Sequence, residues 1–158
     1  MSSAHPDFAH IGADDQLTDD DMFRLLSEAP AEACKTLNGE LLSVDSTRGI
    51  ARFRFEVVPA FCHSQGKICQ GGFLTGMVDT AMANAAIAKG KLVVAVPTLE
   101  IKVSFFEAMG PGFVFAEGRV MRWGGSVGFL DGDLKDANGR LIVHATCTVK
   151  IVRPKASN

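Results

Sequence analysis

The chain has 158 residues, of which 47% are hydrophobic and 22% charged, and a formal net charge of −2 at pH 7. This length suits one domain with its own core, and the composition excludes an extensively disordered chain. The nearly balanced charge does not predict a protein that binds nucleic acid. We therefore expect a single domain at 17–153, between a flexible N-terminal leader at 1–16 and a C-terminal tail at 154–158.

Targeting and redox signals point to a cytoplasmic protein. No run of apolar residues is long enough to span a membrane, and the N-terminus lacks the basic segment of a secretory signal. The four cysteines, at positions 34, 62, 69 and 147, fit no CxxC metal pattern. We expect reduced thiols, no metal site and no membrane partner.

The first predicted element is a helix at 17–29. Thr18 is a typical N-cap, and Asp19 to Asp21 place negative charge in the first turn, where the helix dipole favours it. Apolar residues recur at helical spacing until Pro30 ends the pattern. Strand patterns follow at 36–44 and 50–57, and residues 58–70 are predicted to form a loop.

The longest predicted element is a helix at 71–88, with Gly90 as a C-cap. Apolar or small residues surround its whole circumference, which is typical of a buried helix. A strongly curved antiparallel sheet wrapped around the helix would cover it. The remaining strands are predicted at 93–108, 112–123, 126–136 and 140–152, the last two joined by an Asn138-Gly139 hairpin turn.

Gly71 and Gly72 open the long helix and could carry chemistry. Glycine lets a ligand approach the backbone closely, and the first amides of a helix point outward at the positive end of its dipole. Such amides suit a carbonyl oxygen that becomes negative during acyl transfer. The alternative interpretation is a helix start packed tightly under a loop.

Asp79 is the second candidate, because it lies in the middle of this helix among apolar and small neighbours. An unpaired buried carboxylate is costly, so it shifts its pKa or finds hydrogen-bond donors. Function is the usual reason for such a residue. The alternative is a structural aspartate bonded to a nearby Ser or Thr.

Gly71 and Asp79 cannot act on one group from the same helix. Eight residues separate them, so they lie about 12 Å apart along the axis and about 80° apart around it. A joint site therefore needs two helices, and because the chain has one of this kind, a symmetric dimer is implied. Its interface would also bury part of the large hydrophobic fraction.

The segment Gln70-Gly71-Gly72, the apolar helix and Asp79 resemble the hot-dog-fold acyl-CoA thioesterases of the phenylacetic acid degradation (PaaI-like) type. The resemblance covers about residues 36–152, including 97–106, which is similar to the family's strand after the helix. It implies an α+β fold, with a curved antiparallel β-sheet wrapped around a long central helix. It also implies an enzyme that hydrolyses an acyl-CoA to the free acid and CoA as a homodimer or homotetramer, with no cofactor beyond the coenzyme A of its substrate.

The resemblance also implies roles for individual residues. The Gly71 amide would polarise the thioester carbonyl, Asp79 from the other subunit would be general base or nucleophile, and Thr98 would position the attacking water. His63 would take the place of an upstream Asn that contacts the carbonyl in many members, with one extra residue in the loop. Further substrate contacts are expected at Gln70, which replaces the usual His, and at Gly72, Gly125 and Ser126.

Other functions stay open at this point. The replacement at Gln70 and the irregular loop before it also fit a non-catalytic protein that binds an acyl thioester or another small ligand. A hot-dog hydratase is a third interpretation, weakened because no Asp and His occur at the spacing such enzymes use. The basic residues Lys102, Arg119 and Arg122 either pair with the CoA phosphates or are simply solvated, and His144 is expected to be a surface or interface group.

Overall fold

The computed structural model describes residues 17–92 and 94–153, so the predicted leader, the predicted tail and residue 93 lie outside the described chain. Helix α1 (Asp19–Glu28) has Thr18 as its N-cap, as predicted. The Asp21 amide donates to the Thr18 hydroxyl at 3.2 Å, and the Thr18 amide donates to the Asp21 carboxylate at 3.1 Å. This reciprocal capping box fixes where α1 begins. A short helix α2 (Glu32–Thr36) follows Pro30.

Six strands form one antiparallel sheet in the order β1-β2-β6-β7-β8-β5, and a separate two-stranded ribbon, β3-β4, precedes the long helix α3 (Gly71–Lys89). This is the predicted α+β hot-dog architecture, in which α3 packs against the sheet. The strands are β1 (Gly39–Asp45), β2 (Ile50–Val57), β3 (Cys62–His63), β4 (Ile68–Cys69), β5 (Thr98–Phe105), β6 (Gly112–Trp123), β7 (Val127–Asp136) and β8 (Leu141–Lys150).

Three predicted boundaries differ from the structure. The strand predicted from Thr36 begins only at Gly39, because residues up to Thr36 complete α2 and Asn38 is left-handed, with φ 55°. The predicted loop at 58–70 contains the β3-β4 ribbon. The strand predicted at 93–108 is continuous only over 98–105; before it, Ala95 forms a single isolated bridge.

A row of small residues across the sheet lets α3 lie close to it. Ala51, Gly118, Gly132 and Ala145 are successive partners on β2, β6, β7 and β8. A Cβ atom on Gly118 would overlap the backbone of Ala81 in α3, so only glycine allows the helix to approach this closely. The row therefore sets the distance between α3 and the sheet, and with it the position of every side chain on the opposite side of the helix.

The two halves of α3 differ in burial. The sheet-facing half is fully buried in the core; the opposite half, which we call the open half, holds half-buried residues and the exposed Gly72. A single chain thus covers half of the helix completely, whereas the composition predicted cover on all sides. Among the described helices, none has the length and hydropathy of a bilayer span. The open half consists of Gly72, Phe73, Thr75, Gly76, Asp79, Thr80, Ala83, Asn84 and Ile87.

Candidate active site

Asp79 lies on the open half of α3, beside the first residue of β5. The Thr98 hydroxyl donates a hydrogen bond to Asp79 Oδ1 at 3.2 Å, so the structure brings these two predicted residues together. Burial raises the pKa of Asp79, and the Thr98 bond opposes that rise. A carboxylate in this setting is a stronger base than an exposed aspartate, and it can accept a proton from a water molecule that Thr98 helps to orient.

The N-terminus of α3 is uncapped by any side chain. Gln70 is the N-cap residue, its backbone is extended (φ −68°, ψ 135°), and its exposed side chain makes no capping hydrogen bond. The amides of Gly71 and Gly72 have no acceptor among the described residues. Two donors at the positive end of a 19-residue helix are therefore available to an oxygen atom that carries negative charge.

Phe105 covers one of these glycines, a contact that no local sequence pattern predicts. A Cβ atom on Gly71 would lie 2.9 Å from the tip of the Phe105 ring, whereas a Cβ on Gly72 would meet nothing within 4 Å. Phe105 is itself 50% exposed at the end of β5. Glycine at position 71 is thus explained by close packing against an aromatic ring, and Gly72 leaves open space above the helix end.

His63 lies in the β3-β4 ribbon that leads into α3, and it is exposed. Its Nδ1 atom is 2.9 Å from the hydroxyl of Ser64, and no hydrogen bond joins it to the helix N-terminus within the described chain. The ribbon itself is anchored, because the Gln70 amide donates to the Phe61 carbonyl at 2.9 Å. His63 is therefore near the helix start in sequence, but the fold does not direct it at Gly71.

Gly125 and Ser126 form an exposed turn between β6 and β7. The Ser126 carbonyl accepts from the Ile151 amide at 2.8 Å, and Arg153 donates to the Gly125 carbonyl. The register places this turn at the same end of the sheet as Thr98. Three strand spacings, about 14 Å, still separate β6 from β5 there, so the turn does not join the Asp79–Thr98 pair within one chain.

A mainly apolar cavity of about 330 Å³ lies beside the C-terminal part of α3, and sequence reasoning missed it. It is formed where α1 and α2 cross β1 and the open half of the helix, and Asn84 is its polar residue from α3. Asp79 does not line it. Because five separate elements build it, namely α1, α2, β1, β2 and α3, no local pattern could have revealed it. Its apolar lining includes Phe23, Leu26, Cys34, Leu41, Phe53, Ile87 and Leu92.

The outer face of the sheet carries a network of charges that is already paired. Arg119 donates to Asp131 at 2.8 Å, to Asp133 at 2.8 Å and to Glu117 at 3.0 Å. His144 Nδ1 lies 2.8 Å from Asp133. Arg119 is therefore engaged by carboxylates of its own chain rather than simply solvated, and its pairing with CoA phosphates stays an untested prediction. No group of three or more potential metal ligands occurs in the part of the chain that the structure describes.

Comparison with known proteins decides the family. The model of the Thioesterase superfamily matches residues 66–143. A phenylacetic acid degradation-related protein from Ralstonia eutropha JMP134 has 30% sequence identity and a TM-score of 0.74, over 83% of this chain and 97% of its own. This chain belongs to the thioesterase superfamily. The match begins in the ribbon turn and includes all of α3 and most of the sheet, so both Gly71 and Asp79 lie inside it.

Two further relatives extend the comparison of this thioesterase-superfamily chain. A protein from Saccharolobus solfataricus that bears the name of an esterase is 32% identical over 91 residues, which span 58% of this chain and 64% of the relative. A thioesterase-type protein from Streptococcus pneumoniae TIGR4, solved with coenzyme A, has 19% identity and a TM-score of 0.69 over 78% of this chain and 94% of its own. The second of these supports the fold.

Proposed function

We propose that this protein hydrolyses the thioester of an acyl-CoA in the cytoplasm, at a site that two copies of the chain build together. The observation that carries the proposal is the position of Asp79: a half-buried carboxylate with a raised pKa and one hydroxyl donor, on the open half of a helix whose N-terminal amides are unused. The chain contains both a base, the Asp79 carboxylate, and a hydrogen-bond donor for the carbonyl oxygen, the Gly71 amide. Within one chain these two groups are too far apart to act on the same thioester.

In the proposed reaction, the Gly71 amide donates to the carbonyl oxygen and so stabilises the negative charge that forms on it. Asp79 of the other subunit removes a proton from water, oriented by Thr98, and that water adds to the carbonyl carbon. The carbon–sulfur bond then breaks, and the proton held by Asp79 passes to the sulfur, so that CoA leaves as a thiol and the carboxylate is regenerated. Attack by the Asp79 carboxylate itself, followed by hydrolysis of the anhydride, uses the same groups. Gln70, Gly72 and His63 lie at or just before the helix end that would receive the substrate.

The shared site is supported by the free edge of β5. This strand pairs with β8 on one side, and its other edge has no partner among the described residues. An open, partly apolar edge is a ready template for another strand, and Leu99 is 60% exposed there. Pairing of two β5 strands about a two-fold axis would bring the open halves of two α3 helices together. We propose a homodimer formed in this way, or a homotetramer made from two such dimers.

Coenzyme A as the thiol component is supported by the Streptococcus pneumoniae relative, whose structure contains it. The exposed turn at Gly125 and Ser126 lies at the Thr98 end of the sheet and offers unhindered backbone to a long ligand. We propose that the CoA arm passes this turn in the assembled dimer.

The first experiment compares Asp79→Asn with the unmodified protein on a panel of aliphatic and aromatic acyl-CoAs, with release of free thiol as the readout. Loss of a general base costs on the order of 10²–10⁴ in kcat, and we expect a loss in that range on every substrate that the protein hydrolyses. Asp20→Asn is the matched control, because Asp20 is an exposed helical carboxylate far along the chain from the site. Full activity in Asp79→Asn would refute the proposal.

The second experiment tests the role of the Gly71 amide and supplies the variant needed for the test of a shared site. Gly71→Pro deletes the amide, and proline is tolerated at the first position of a helix when the preceding residue is extended, as Gln70 is. Gly71→Ala presses on Phe105 in the same way but keeps the amide. We expect a loss on the order of 10²–10³ in kcat for the proline variant beyond that of the alanine variant.

Two-chain assembly then predicts complementation. When Asp79→Asn and Gly71→Pro chains are unfolded together and refolded, a mixed dimer holds one site with both groups intact. We expect about a quarter of the unmodified activity from random mixing. If the mixture is as inactive as either variant alone, each site belongs to a single chain.

The cavity at α1 and α2 favours a second candidate, a protein that binds a small apolar ligand without turning it over. A mainly apolar cavity of this size with a few polar side chains, here Ser27, Glu40 and Asn84, is typical of small-ligand sites. Tight binding of an acyl-CoA or a fatty acid, no release of thiol and indifference to Asp79→Asn would select this function.

A further inference from the structure

The β3-β4 ribbon holds two cysteines directly opposite each other. Cys62 and Cys69 are partners in the register of this ribbon, so their side chains project from the same face. The Cys62 thiol donates to the Val58 carbonyl at 3.5 Å and the Cys69 thiol to the Gln70 carbonyl at 3.7 Å, and the proximity of Cys62 adds to the rise in the pKa of Cys69. The proposed hydrolysis uses neither of them.

The backbone hydrogen bonds show which kind of cross-strand pair this is. The Cys62 amide donates to the Pro59 carbonyl, and the Cys69 amide donates to the Met109 carbonyl at 2.7 Å. Both amides therefore point away from the partner cysteine, so the two residues form a non-hydrogen-bonded pair. Cα atoms in such a pair lie about 4.5 Å apart, at the short end of the range that a disulfide spans.

We propose that Cys62 and Cys69 are a redox modification site, a dithiol that closes to a disulfide by exchange with a low-molecular-weight disulfide such as oxidised glutathione. The proposal does not depend on the proposed thioester hydrolysis, because disulfide formation is measured on the protein itself.

The order of the two steps follows from accessibility. Cys62 is half-buried, whereas Cys69 is only 4% exposed. The Cys62 thiolate attacks one sulfur of oxidised glutathione, which forms a mixed disulfide and releases one reduced glutathione. The Cys69 thiolate then attacks the Cys62 sulfur and expels the second glutathione, and the two protein thiol protons end on the two glutathione thiols. Two cysteines are oxidised, and one glutathione disulfide is reduced.

The second step is expected to be slow near neutral pH. Burial and the Cys62 thiol raise the pKa of Cys69 to about 11, and thiolate is the species that attacks. The ionisable group that acts on Cys69 is Cys62, whereas the other ionisable side chains of the ribbon, His63 and Lys67, are exposed. The mixed disulfide on Cys62 should therefore accumulate before the ring closes.

The modification site adjoins the helix start. Cys69 is followed directly by Gln70, the N-cap of α3, and the Gln70 amide donates to the carbonyl of Phe61, the residue before Cys62. A covalent link between β3 and β4 would restrain the segment that carries the Gly71 amide. The oxidation state of the pair would thus affect the position and mobility of the N-terminus of α3.

The experiment incubates the folded protein with oxidised glutathione, blocks the remaining thiols and maps the products by mass spectrometry. Trypsin cuts after Lys67, so the disulfide would link the peptide 55–67 to the peptide 68–89, with a mass about 2 Da below the sum of the two reduced peptides. We expect this linked species, with the thiols of Cys34 and Cys147 still reduced, and its loss on treatment with dithiothreitol. Four free thiols, or a linkage that includes Cys34 or Cys147, would overturn the proposal.

Two variants keep the test decisive. Cys69→Ala should trap glutathione on Cys62 without ring closure, and Cys34→Ala, at another buried cysteine, should leave the linkage unchanged. Because the two cysteines are close in sequence, the same equilibrium is also measured in urea. The folded ribbon should favour closure by on the order of tenfold over the unfolded chain. A ratio of one or below would show that the fold does not prepare this pair, and it too would overturn the proposal.

Discussion

The two halves of α3 differ in burial and in the kinds of residue that they contain. The sheet-facing half contains apolar side chains such as Met77 and Val78. They pack against a row of alanines and glycines so closely that a larger side chain in the row would clash with the helix. The open half contains Asp79, Thr80 and Asn84, all half-buried. The first half maximises contact within the chain, whereas the second gives up burial to keep polar groups accessible. The comparison indicates that one side of the helix serves folding, whereas the other side presents the polar groups on which the proposed function depends.

The largest expected effect is a loss of stability from a substitution that disrupts packing on the sheet-facing half. In Gly118→Ala the new methyl group overlaps the backbone of Ala81 and Met82, which cannot rotate away as a side chain could. Overpacking of a rigid core costs about 1–3 kcal/mol and often more, so we expect a large fall in Tm or loss of soluble protein. Gly125→Ala is the matched control, because a Cβ there meets nothing within 4 Å. Equal melting temperatures for the two variants would contradict the close approach of α3.

The next prediction concerns stability on the open half. Burial raises the pKa of Asp79 in the folded chain, so the folded state binds its proton more tightly than the unfolded state does. Stability from this group is therefore present at low pH and is lost as the pH rises through the raised pKa. Asp79→Asn removes the buried charge and should raise Tm by a few degrees at neutral pH, while the proposed hydrolysis slows by the factor of about 10²–10⁴ given above. A Tm that falls, or one unchanged from pH 4 to pH 8 in both proteins, would contradict this.

The smallest expected effect sharpens the role of Thr98. Its hydrogen bond lowers the pKa of Asp79 against the effect of burial. Thr98→Val removes that bond with little change in shape, so the pKa of Asp79 should rise further. We expect the acidic limb of the kcat/KM profile to move to higher pH. Thr146→Val, at an exposed position on β8, is the control and should leave the limb in place. A limb that moves to lower pH would exclude the proposed contact.

The sequence predicted long periodic elements well and short ones poorly. Strand β2, strand β6 and the start of α3 at Gly71 are confirmed, because each has a sustained period or a glycine that marks its end. The two-residue strands of the β3-β4 ribbon were missed, since so short a pattern has no period. Their turn has left-handed backbone not only at Gly66, with φ 78°, but also at Ser64 and Gln65, with φ of 52° and 60°, and these residue types give little sequence signal for that conformation.

The site was predictable in part. The Asp79–Thr98 contact followed from the family resemblance, and the structure shows the two side chains hydrogen bonded. Phe105 over Gly71 was not predictable, because residues on β5 and the start of α3 meet only through the fold. The pairing of Arg119 with three carboxylates was missed for the same reason: β6 and β7 must be in register before those charges face each other.

The glycine and alanine row under α3 also limits how this protein can adapt. Because α3 packs directly against the backbone of the sheet, a bound molecule cannot shift the helix without disrupting the core. Accommodation of substrates with different shapes must therefore come from the pieces around the helix: the α1 and α2 segment, the β3-β4 ribbon and the exposed turns. In the proposed enzyme, such a division would let substrate selectivity change through peripheral substitutions while the positions of Asp79 and of the α3 N-terminus stay the same.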